Sequence, residues 1–280
     1  MAAQPEKKDW SATQYLKFGN ERTRAVHDLL AQVTPHISSP NPRIYDLGCG
    51  PGNSTQALLS AFPSARITGM DSSPDMLSKA RATLPDVEFV SSDLSTYKPD
   101  QAADLLFSNA VFHWLRTDNR IPTLSKLFKN LQPGAVLAIQ VPDNYHFPSH
   151  TLMRTTACLT NKPWSKYFSS SHIGDTSDSS RPDLDPIEPP SSFYNALSPH
   201  ASLVNVWRTE YQHVLSDHGA IVEWVRATGL QPYLNCIEDE GAREAFLTEY
   251  EERLKGEYER LGDGRVMLGY PRLFVVAVRK

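Results

Sequence analysis

Hydrophobic residues recur at helical spacing near the start of the chain and change their period at about residue 43. Within residues 10–33, the stripe formed by Val26, Leu29, Leu30 and Val33 predicts an amphipathic helix. Several prolines follow and are expected to end it.

From residue 43 to residue 142 the chain alternates short apolar runs with helix-like segments. The runs RIYDLG, RITGMD, VEFVSSD, ADLLFSN and AVLAIQVP predict strands, and STQALLSAF, SPDMLSKARATL and IPTLSKLFKNL predict helices. In the second of these helices Ser73 is expected to be the N-cap and Pro74 the first helical residue. Strands that alternate with helices form parallel βαβ units, which predicts an α/β fold with a doubly wound sheet.

The alternation is lost after Pro142. Residues 169–192 are rich in Ser, Asp and Pro and poor in apolar residues, which is typical of a mobile insert or a long loop. Beyond them, SLVNVWRTEYQHV and RLFVVAVRK predict strands, and DHGAIVEWVRAT and DEGAREAFLTEYEERLKGEYERL predict helices.

A glycine-rich turn, DLGCGPG, joins the first predicted strand to its helix. Gly48, Gly50 and Gly52 follow a G-x-G-x-G pattern, and Asn53 takes the place of the third glycine in the dinucleotide motif G-x-G-x-x-G. The Asp46 carboxylate would repel a pyrophosphate and suits a ligand that carries an amine or a sulfonium. We expect the ligand to contact bare backbone here, so that a Cβ at Gly48 or Gly50 would intrude on it.

Two further acidic residues end the next two predicted strands. Asp71 ends RITGMD, where an acid accepts hydrogen bonds from both hydroxyls of a ribose. Asp93 ends the third strand, in a position to accept from an adenine amino group, with Leu94 against the ring. Each acid alone is more often a cap or turn residue, but three of them at consecutive strand ends favour a ligand site.

These stretches resemble the class I S-adenosylmethionine-dependent methyltransferases. Within that superfamily the chain is similar to the trans-aconitate methyltransferases from Trp10 to Ala277, in DLGCGPGNST, ARITGMDSSPDML, VPDN, WRTEYQH, ATGLQPYL and YPRLFVVA. The cofactor stretches identify only the superfamily, whereas WRTEYQH and PRLF are more specific. The resemblance implies a seven-stranded, mostly parallel sheet with helices on both faces and an antiparallel last strand.

The resemblance also implies S-adenosylmethionine as the cofactor, with S-adenosylhomocysteine as its product. The glycine backbone would hold the methionine part, and the loop after the fourth strand would face the sulfonium. The expected cofactor contacts are Trp10, Asp46, Gly48, Cys49, Gly50, Asp71, Ser72, Met76, Asp93, Leu94, Asn109 and Ala110. The N-terminal helix is expected to fold over the cofactor as a lid that excludes water.

A small carboxylic acid fits the segments that are expected to shape the acceptor pocket, and trans-aconitate is the leading acceptor by resemblance. A carboxylate is ionised at neutral pH and needs no general base, and its spare carboxylates call for Arg and His partners. The residues expected to bind or align the acceptor are Arg272, Tyr211, His213, Tyr15, Arg22, His113 and Trp114. Packing is an equally good interpretation of Tyr211 and His213, as is a surface ion pair for Arg208.

Other functions stay open at this point. A methyltransferase that acts on a hydroxyl or a carbon would use His113 as its general base, whereas a carboxylate acceptor makes His113 a hydrogen-bonding gate. A non-catalytic binding module would keep the cofactor fold, but the intact acids and glycines argue against it. An oxidoreductase is the weakest option because the glycine spacing does not match. No acidic cluster has metal-ligand spacing, so we expect no metal.

Charge and composition exclude several partners. The net charge of −4 and the pI near 6.1 provide no basic surface for nucleic acid or an anionic membrane. The 3 cysteines are widely spaced and indicate neither a disulfide framework nor a zinc site. The N-terminal residues lack the apolar region of a signal peptide, and we expect a cytoplasmic enzyme that is a monomer or a weak homo-oligomer.

Four regions are expected along the chain. Residues 1–42 are a helical lid, residues 43–142 the cofactor-binding core, residues 143–262 a cap that includes the insert 169–192, and residues 263–280 the strand that completes the sheet. By the resemblance, the insert is expected to be longer than the family pattern and to lie in the part that shapes the acceptor pocket.

Overall fold

A computed structural model describes residues 19–280, so the expected contacts Trp10 and Tyr15 lie outside the described residues. The helices are α1 (Gly19–Val33), α2 (Asn53–Ala61), α3 (Pro74–Thr83), α4 (Thr117–Lys129), α5 (Pro148–Ala157), α6 (Ser165–Phe168), α7 (Pro190–Leu197), α8 (His218–Arg226), α9 (Gln231–Cys236) and α10 (Glu240–Leu254). The strands are β1 (Arg43–Leu47), β2 (Arg66–Asp71), β3 (Glu88–Ser91), β4 (Leu105–Asn109), β5 (Val136–Pro142), β6 (Ala201–Leu215) and β7 (Val266–Arg279). None of the described helices combines the length and the low polarity that a membrane crossing requires.

The strands form one seven-stranded sheet in the order β3-β2-β1-β4-β5-β7-β6. The pairs β1–β2, β1–β4, β2–β3 and β4–β5 are parallel, and β5–β7 is antiparallel. The strand order reverses between β1 and β4, which is the switch point at which doubly wound sheets bind ligands. The predicted fold class and the antiparallel last strand are confirmed.

The described chain forms two compact units. The core unit contains residues 19–143, Ile187–Glu210 and Pro271–Lys280, and the helical unit contains Asn144–Pro186 and Tyr211–Tyr270. The Ser/Asp/Pro-rich segment contributes to both units. The roles assigned to the four regions expected from the sequence stay predictions.

Apolar side chains of the central strands form the hydrophobic interior of the core unit. β5 is buried along its whole length, and Phe107, Ile139 and Val275 are fully buried. Helix α1 packs against α2 and β5. A parallel strand that is covered on both faces has a continuous apolar run rather than an alternating one, and β5 follows this rule except at Gln140.

Local signals determine several helix ends. Ser73 accepts a hydrogen bond from the amide of Met76 at 3.2 Å and Pro74 opens α3, which confirms the predicted cap. Helix α10 ends at Leu254 rather than near residue 261, because Gly256 follows and glycine disfavours a helix by about 1 kcal/mol. The sequence analysis missed α5, α7 and α9, each of which has a proline in its first two positions.

Within the helical unit, the Ser/Asp/Pro-rich segment is a loop that is organised around Arg181. The guanidinium of Arg181 lies 2.8 Å from Asp183 and also pairs with Asp185, and its Nε donates to the carbonyl of Asp175 at 2.7 Å. The side chains of all three paired residues are at most 2% exposed. The loop character is therefore as predicted, its mobility stays a prediction, and two of its acids are neutralised internally.

Candidate active site

One face of the sheet carries a row of polar side chains, level with the carboxyl ends of the parallel strands. Partners across a strand pair share a face, and so do residues two apart in one strand. In the pairing of β4 with β5, for instance, Asn109 lies beside Gln140. The register places five polar residues on this face, in the spatial order Asp71, Asp46, Asn109, Gln140 and Arg272. We call them the polar row.

The glycine turn connects β1 to α2 and is tied to β2. The amides of Gly48 and Cys49 donate to the carbonyl of Met70 at 2.7 and 2.8 Å. The φ angles of Gly48, Gly50 and Gly52 are +74°, +55° and +98°, in the left-handed region that glycine adopts without steric cost. The turn therefore needs glycine for its backbone path before any ligand is considered.

The reason for a missing Cβ differs between Gly48 and Gly50. A Cβ at Gly48 would lie 2.2 Å from the Cγ2 of Val111, so packing inside the protein forbids it. A Cβ at Gly50 would meet no described atom within 4 Å, so the space there is open to a ligand. The expectation that the ligand explains both glycines was wrong for Gly48.

Asp46 is fully buried at the end of β1. Its Oδ2 accepts hydrogen bonds from the hydroxyls of Ser54 and Thr55, both at 2.7 Å, while its Oδ1 is buried with no hydrogen-bond partner within residues 19–280. Burial raises the pKa of Asp46 to about 6, although the two hydroxyls oppose the rise. A buried carboxylate with one open oxygen fits a ligand that brings a positive charge or an N–H donor.

Asp71 is held against the glycine turn by backbone donors. Its Oδ2 accepts from the amide of Gly50 and its Oδ1 from the amide of Ser73, each at 2.9 Å. The neighbouring Ser72 is exposed. This arrangement puts an acid directly beside the open space at Gly50, as a ribose site requires.

Asp93 forms the contacts of a turn residue, and Leu94 forms those of a core residue. Asp93 is exposed, and its Oδ1 accepts from the amide of Ser95 at 2.7 Å, which is a turn pattern. Leu94 packs in the main hydrophobic cluster with Leu47 and Met70. The adenine contacts expected of both residues stay predictions.

Cys49 and Met76 were also expected to contact the cofactor, and both side chains are buried. Cys49 packs with Leu77 and Phe89, and burial raises the pKa of its thiol far above the usual range. The thiol therefore stays protonated and is no nucleophile.

The chain leaves β4 in a strained conformation. Ala110 has a φ of +59°, which is uncommon for a residue with a Cβ, and its amide donates to the carbonyl of Gln140 at 2.8 Å. The Oδ1 of Asn109 is buried and has no hydrogen-bond partner in the part of the chain that the structure describes. Strain of this kind costs about 1–3 kcal/mol and clusters at functional sites.

A short 3-10 turn, Phe112–Trp114, carries His113 and Trp114. The His113 side chain is buried and its ring centroid lies 4.7 Å from that of Trp114. Arg120 from α4 donates from Nε to the carbonyl of Phe112 at 3.1 Å and from Nη2 to that of Leu115 at 2.9 Å. The guanidinium of Arg120 thus stabilises the turn through two backbone carbonyls.

Arg272 lies inside β7 rather than at its start and is only 3% exposed. Its Nη1 donates to the Oε1 of Gln140 at 3.0 Å. Beside it the rings of Trp207 and Phe274 stack with centroids 4.8 Å apart and an interplanar angle of 8°. Helix α1 carries Arg22, whose side chain is also buried.

Tyr211 and His213 belong to the helical unit, where both are buried. The His213 ring has its centroid 4.4 Å from Trp224 and 6.3 Å from Tyr211. These contacts are those of packed aromatic residues, and a role of Tyr211 and His213 in acceptor binding stays a prediction. In the core unit, the Nε of Arg208 lies 2.7 Å from the Oδ2 of Asp143 and its side chain is 51% exposed, which confirms the surface ion pair.

The sequence analysis missed three residues that form buried polar contacts in the core unit. Gln140 had a signal, because it is the sole polar residue in AVLAIQVP. Arg120 and Glu188, whose side chains lie 2.6 Å apart, had none, because 68 residues separate them along the chain. Contacts of this kind have no local sequence pattern.

The residues present fit S-adenosylmethionine. The open oxygen of Asp46 suits a positively charged ligand, the space at Gly50 leaves room beside the backbone, and Asp71 lies next to that space. All three are in the core unit, at the ends of β1 and β2 and in the turn after β1, next to the switch point of the sheet.

Comparisons with known proteins identify the family of the chain. Residues 44–134 match the profile of a family described as a methyltransferase domain. The trans-aconitate 2-methyltransferase of Agrobacterium fabrum is 48% identical over 274 residues, which are 97% of this chain and 99% of that protein. The protein of the same name from Rhizobium rhizogenes is 45% identical over 271 residues, again 97% and 99% of the two chains.

Solved structures share the fold. The YcgJ protein from Bacillus subtilis matches with a TM-score of 0.53 at 11% identity, over 91% of this chain and 99% of that chain. Phosphoethanolamine N-methyltransferase 2 from Haemonchus contortus, in complex with S-adenosyl-L-methionine, matches with a TM-score of 0.52 at 16% identity, over 96% of this chain and 56% of that chain. Because the sequence relatives are so similar and span nearly the whole chain, the chain belongs to the trans-aconitate 2-methyltransferase family and is an S-adenosylmethionine-dependent methyltransferase.

Proposed function

We propose that the protein esterifies one carboxylate of a small di- or tricarboxylic acid, and that trans-aconitate is this acid. The observation that carries the proposal is the 48% identity over 99% of a relative named trans-aconitate 2-methyltransferase. The buried guanidinium of Arg272, at the carboxyl end of the sheet, supports an anionic acceptor.

The reaction requires that the acceptor carboxylate is aligned with the methyl group and that water is excluded. It does not require a general base. When bound, S-adenosylmethionine supplies an electrophilic methyl group on a sulfonium. A carboxylate oxygen of the acceptor attacks this methyl carbon while the carbon–sulfur bond breaks, and the products are a methyl ester and S-adenosylhomocysteine. Negative and positive charge cancel in the transition state, so a site that excludes water favours the reaction.

The residues divide into two roles in this proposal. On the cofactor side, Asp46 faces the positively charged end, Gly48 and Gly50 present backbone, and Asp71 takes the ribose. The further cofactor contacts proposed are Trp10, Cys49, Ser72, Met76, Asp93, Leu94, Asn109 and Ala110. On the acceptor side, the residues proposed to bind or align the acid are Arg272, Tyr211, His213, Tyr15, Arg22, His113 and Trp114.

His113 decides between this proposal and an acceptor that must lose a proton. With a carboxylate acceptor, His113→Ala should lower kcat/KM by less than about tenfold, because the ring only gates the site. With a hydroxyl or carbon acceptor, losing a general base should cost about 100- to 10,000-fold.

The proposal also covers the roles of the chain regions, the cellular location and the oligomeric state. Residues 1–42 would act as a lid over the cofactor, residues 43–142 as its binding core, and residues 143–262 as the cap that shapes the acceptor pocket. The enzyme would work in the cytoplasm as a monomer or a weak homo-oligomer, without nucleic acid.

A turnover assay read by mass spectrometry tests the proposed reaction. The full chain is incubated with S-adenosylmethionine and trans-aconitate, cis-aconitate, citrate, isopropylmalate or itaconate, with phenols as controls. A monomethyl ester from trans-aconitate is expected, and Arg272→Met should raise the KM of the acid about 10- to 100-fold while Arg208→Met leaves it unchanged. Products from phenols but from none of the acids would overturn the proposal.

A further inference from the structure

Gln140 is a fully buried amide that lies between Asn109 and Arg272 in the polar row. Its Oε1 accepts a hydrogen bond from the Nη1 of Arg272 at 3.0 Å. Because a guanidinium has donors only, the oxygen of the amide must face Arg272 and the NH₂ group must face away from it. The contact with Arg272 thereby determines which way the amide points.

The Nε2 of Gln140 is buried, and no hydrogen-bond partner for it exists among residues 19–280. Leaving a buried donor unsatisfied costs about 1–3 kcal/mol, and a methionine of similar size would avoid this cost. The surrounding strand is otherwise apolar, and among the described residues the fold uses only the oxygen of this amide, as the acceptor for Arg272. A group that binds during function explains the buried NH₂ end.

The polar row changes from acceptors to donors between β4 and β5. On the side of β1 and β4, the open atoms are the Oδ1 of Asp46 and the Oδ1 of Asn109, which both accept. On the side of β5 and β7 stand the Nε2 of Gln140 and the guanidinium of Arg272, which both donate. Acceptors suit the sulfonium cofactor at the switch point, and donors suit an anion next to it.

We propose that Gln140 is a specificity-determining residue that donates an N–H to a carboxylate of the acceptor, beside Arg272. This inference rests on the proposed function, since it assigns the site at which the acid is held. Arg272 has two functions in it, because its guanidinium attracts the acid and also turns the donor end of the Gln140 amide toward the same place.

The test measures acceptor binding apart from turnover. Trans-aconitate is titrated by calorimetry into the full chain saturated with S-adenosylhomocysteine, for the wild type, Gln140→Met and Gln140→Glu, and the same change at an exposed glutamine, Gln132→Met, is the control. We expect Gln140→Met to weaken binding about tenfold, because one hydrogen bond to a charged group is lost. Gln140→Glu should weaken it further, because the new carboxylate pairs with Arg272 and repels the acid.

Two additional measurements separate this role from a structural one. The affinity for S-adenosylmethionine should change by less than about twofold in Gln140→Met. Thermal stability should change little, because the variant removes an unsatisfied donor but also the acceptor of the Arg272 Nη1. Equal affinity of wild type and Gln140→Met for trans-aconitate would overturn the inference. So would a loss of cofactor affinity alone, because the amide would then hold the carboxylate of the cofactor's methionine part.

The proposed function fails separately from this inference. If the wild type binds trans-aconitate through Gln140 but forms no methyl ester with S-adenosylmethionine, the carboxylate site stands and the esterification is wrong. If the ester forms at equal kcat/KM in wild type and Gln140→Met, the esterification stands and the role of Gln140 is wrong.

Discussion

The guanidinium of Arg120 lies 2.6 Å from the carboxylate of Glu188, and the Arg120 side chain is fully buried. The same guanidinium donates to the carbonyls of Phe112 and Leu115, on either side of His113 and Trp114. A residue of the Ser/Asp/Pro-rich segment therefore supports, through one arginine, the turn that carries the predicted gate of the site.

The first prediction concerns this pair. Arg120→Met should cost about 3–5 kcal/mol of unfolding free energy, because it removes one partner of a buried ion pair and leaves a buried carboxylate. The double variant Arg120→Met with Glu188→Met should recover part of that loss. Urea unfolding of the single and double variants measures the coupling.

The pair of Arg208 and Asp143, in which the Arg208 side chain is 51% exposed, is the control for this experiment. Arg208→Met should cost less than about 1 kcal/mol, because an exposed ion pair contributes little. If Arg120→Met were as mild as Arg208→Met, the support of the Phe112–Trp114 turn by Arg120 would be ruled out.

The second prediction separates two glycines of one turn. Gly48→Ala should destabilise the protein by about 2–4 kcal/mol, because its Cβ collides with Val111 at a left-handed φ. Gly50→Ala should cost only about 1 kcal/mol in stability and weaken S-adenosylmethionine binding at least about tenfold, because its Cβ enters open space. Thermal unfolding and calorimetry on both variants check this.

Val111 provides the control for Gly48. Adding Val111→Ala to Gly48→Ala should restore part of the stability, since it removes the two atoms nearest to the new Cβ. Equal cofactor affinities of Gly50→Ala and the wild type would contradict the open-space interpretation.

The third prediction is a pH dependence of cofactor binding. The pKa of Asp46 is raised to about 6 by burial, so the folded protein without cofactor holds a proton there that the unfolded chain loses near 3.8. Its contribution to stability is therefore present at low pH and lost as pH rises through about 6. A positively charged cofactor needs the ionised form, so its affinity should fall as pH drops below about 6, by at most about tenfold per pH unit.

Calorimetry between pH 7.5 and 5 measures the dependence expected from Asp46. Asp46→Asn should bind S-adenosylmethionine more weakly at pH 7.5 and lose most of the pH dependence, and it should unfold at a higher temperature because no buried charge remains. A wild-type affinity that stays constant down to pH 5 would show that Asp46 does not face the positive charge.

The fourth prediction concerns the helical unit. Burial lowers the pKa of His150 to about 3, and the positive charge of Arg154 adds to the effect. The unfolded histidine takes up its proton near 6.5, so the stability from this site is present above pH 6.5 and is lost as pH falls toward about 3, by at most about 1.4 kcal/mol per pH unit. Hydrogen exchange of the helical unit at pH 7 and pH 5 reads this loss directly.

Variants of two histidines in that unit identify the source of the acid sensitivity. His150→Gln should flatten the pH dependence of exchange, and His172→Gln, at a side chain that is 77% exposed, should leave it as in the wild type. The same acid sensitivity in His150→Gln would assign the effect to another group.

Much of the fold was predictable because its signals are local. The five strands between residues 43 and 142 were found from their apolar runs, and Ser73 with Pro74 marks the start of α3 within four residues of sequence. The long β7 was only partly predicted, because its first residues, from Val266, precede the apolar run RLFVV. Helices α5, α7 and α9 escaped because they are short and begin beside prolines, which favour turns equally well.

The site divides in the same way. Asp46, Asp71 and the glycines could be placed together from the sequence, because strand ends and turns bring them to one edge of the sheet by a rule of topology alone. Gln140 could not be singled out from the sequence, because a glutamine in a strand indicates no function until its hydrogen-bond partner is known. That partner, Arg272, is 132 residues away along the chain.

By itself the sequence determined the alternation of strands and helices, the acids at the strand ends and the family of the chain, because each depends on residue types at short, regular spacing. Only the tertiary structure decided that Val111 explains Gly48, that Arg120 pairs with Glu188, and that Arg272 turns the Gln140 amide. The physical reason is that burial and hydrogen-bond satisfaction are properties of neighbours in space. Whether a polar atom is buried and left open depends on side chains that no local pattern brings next to it.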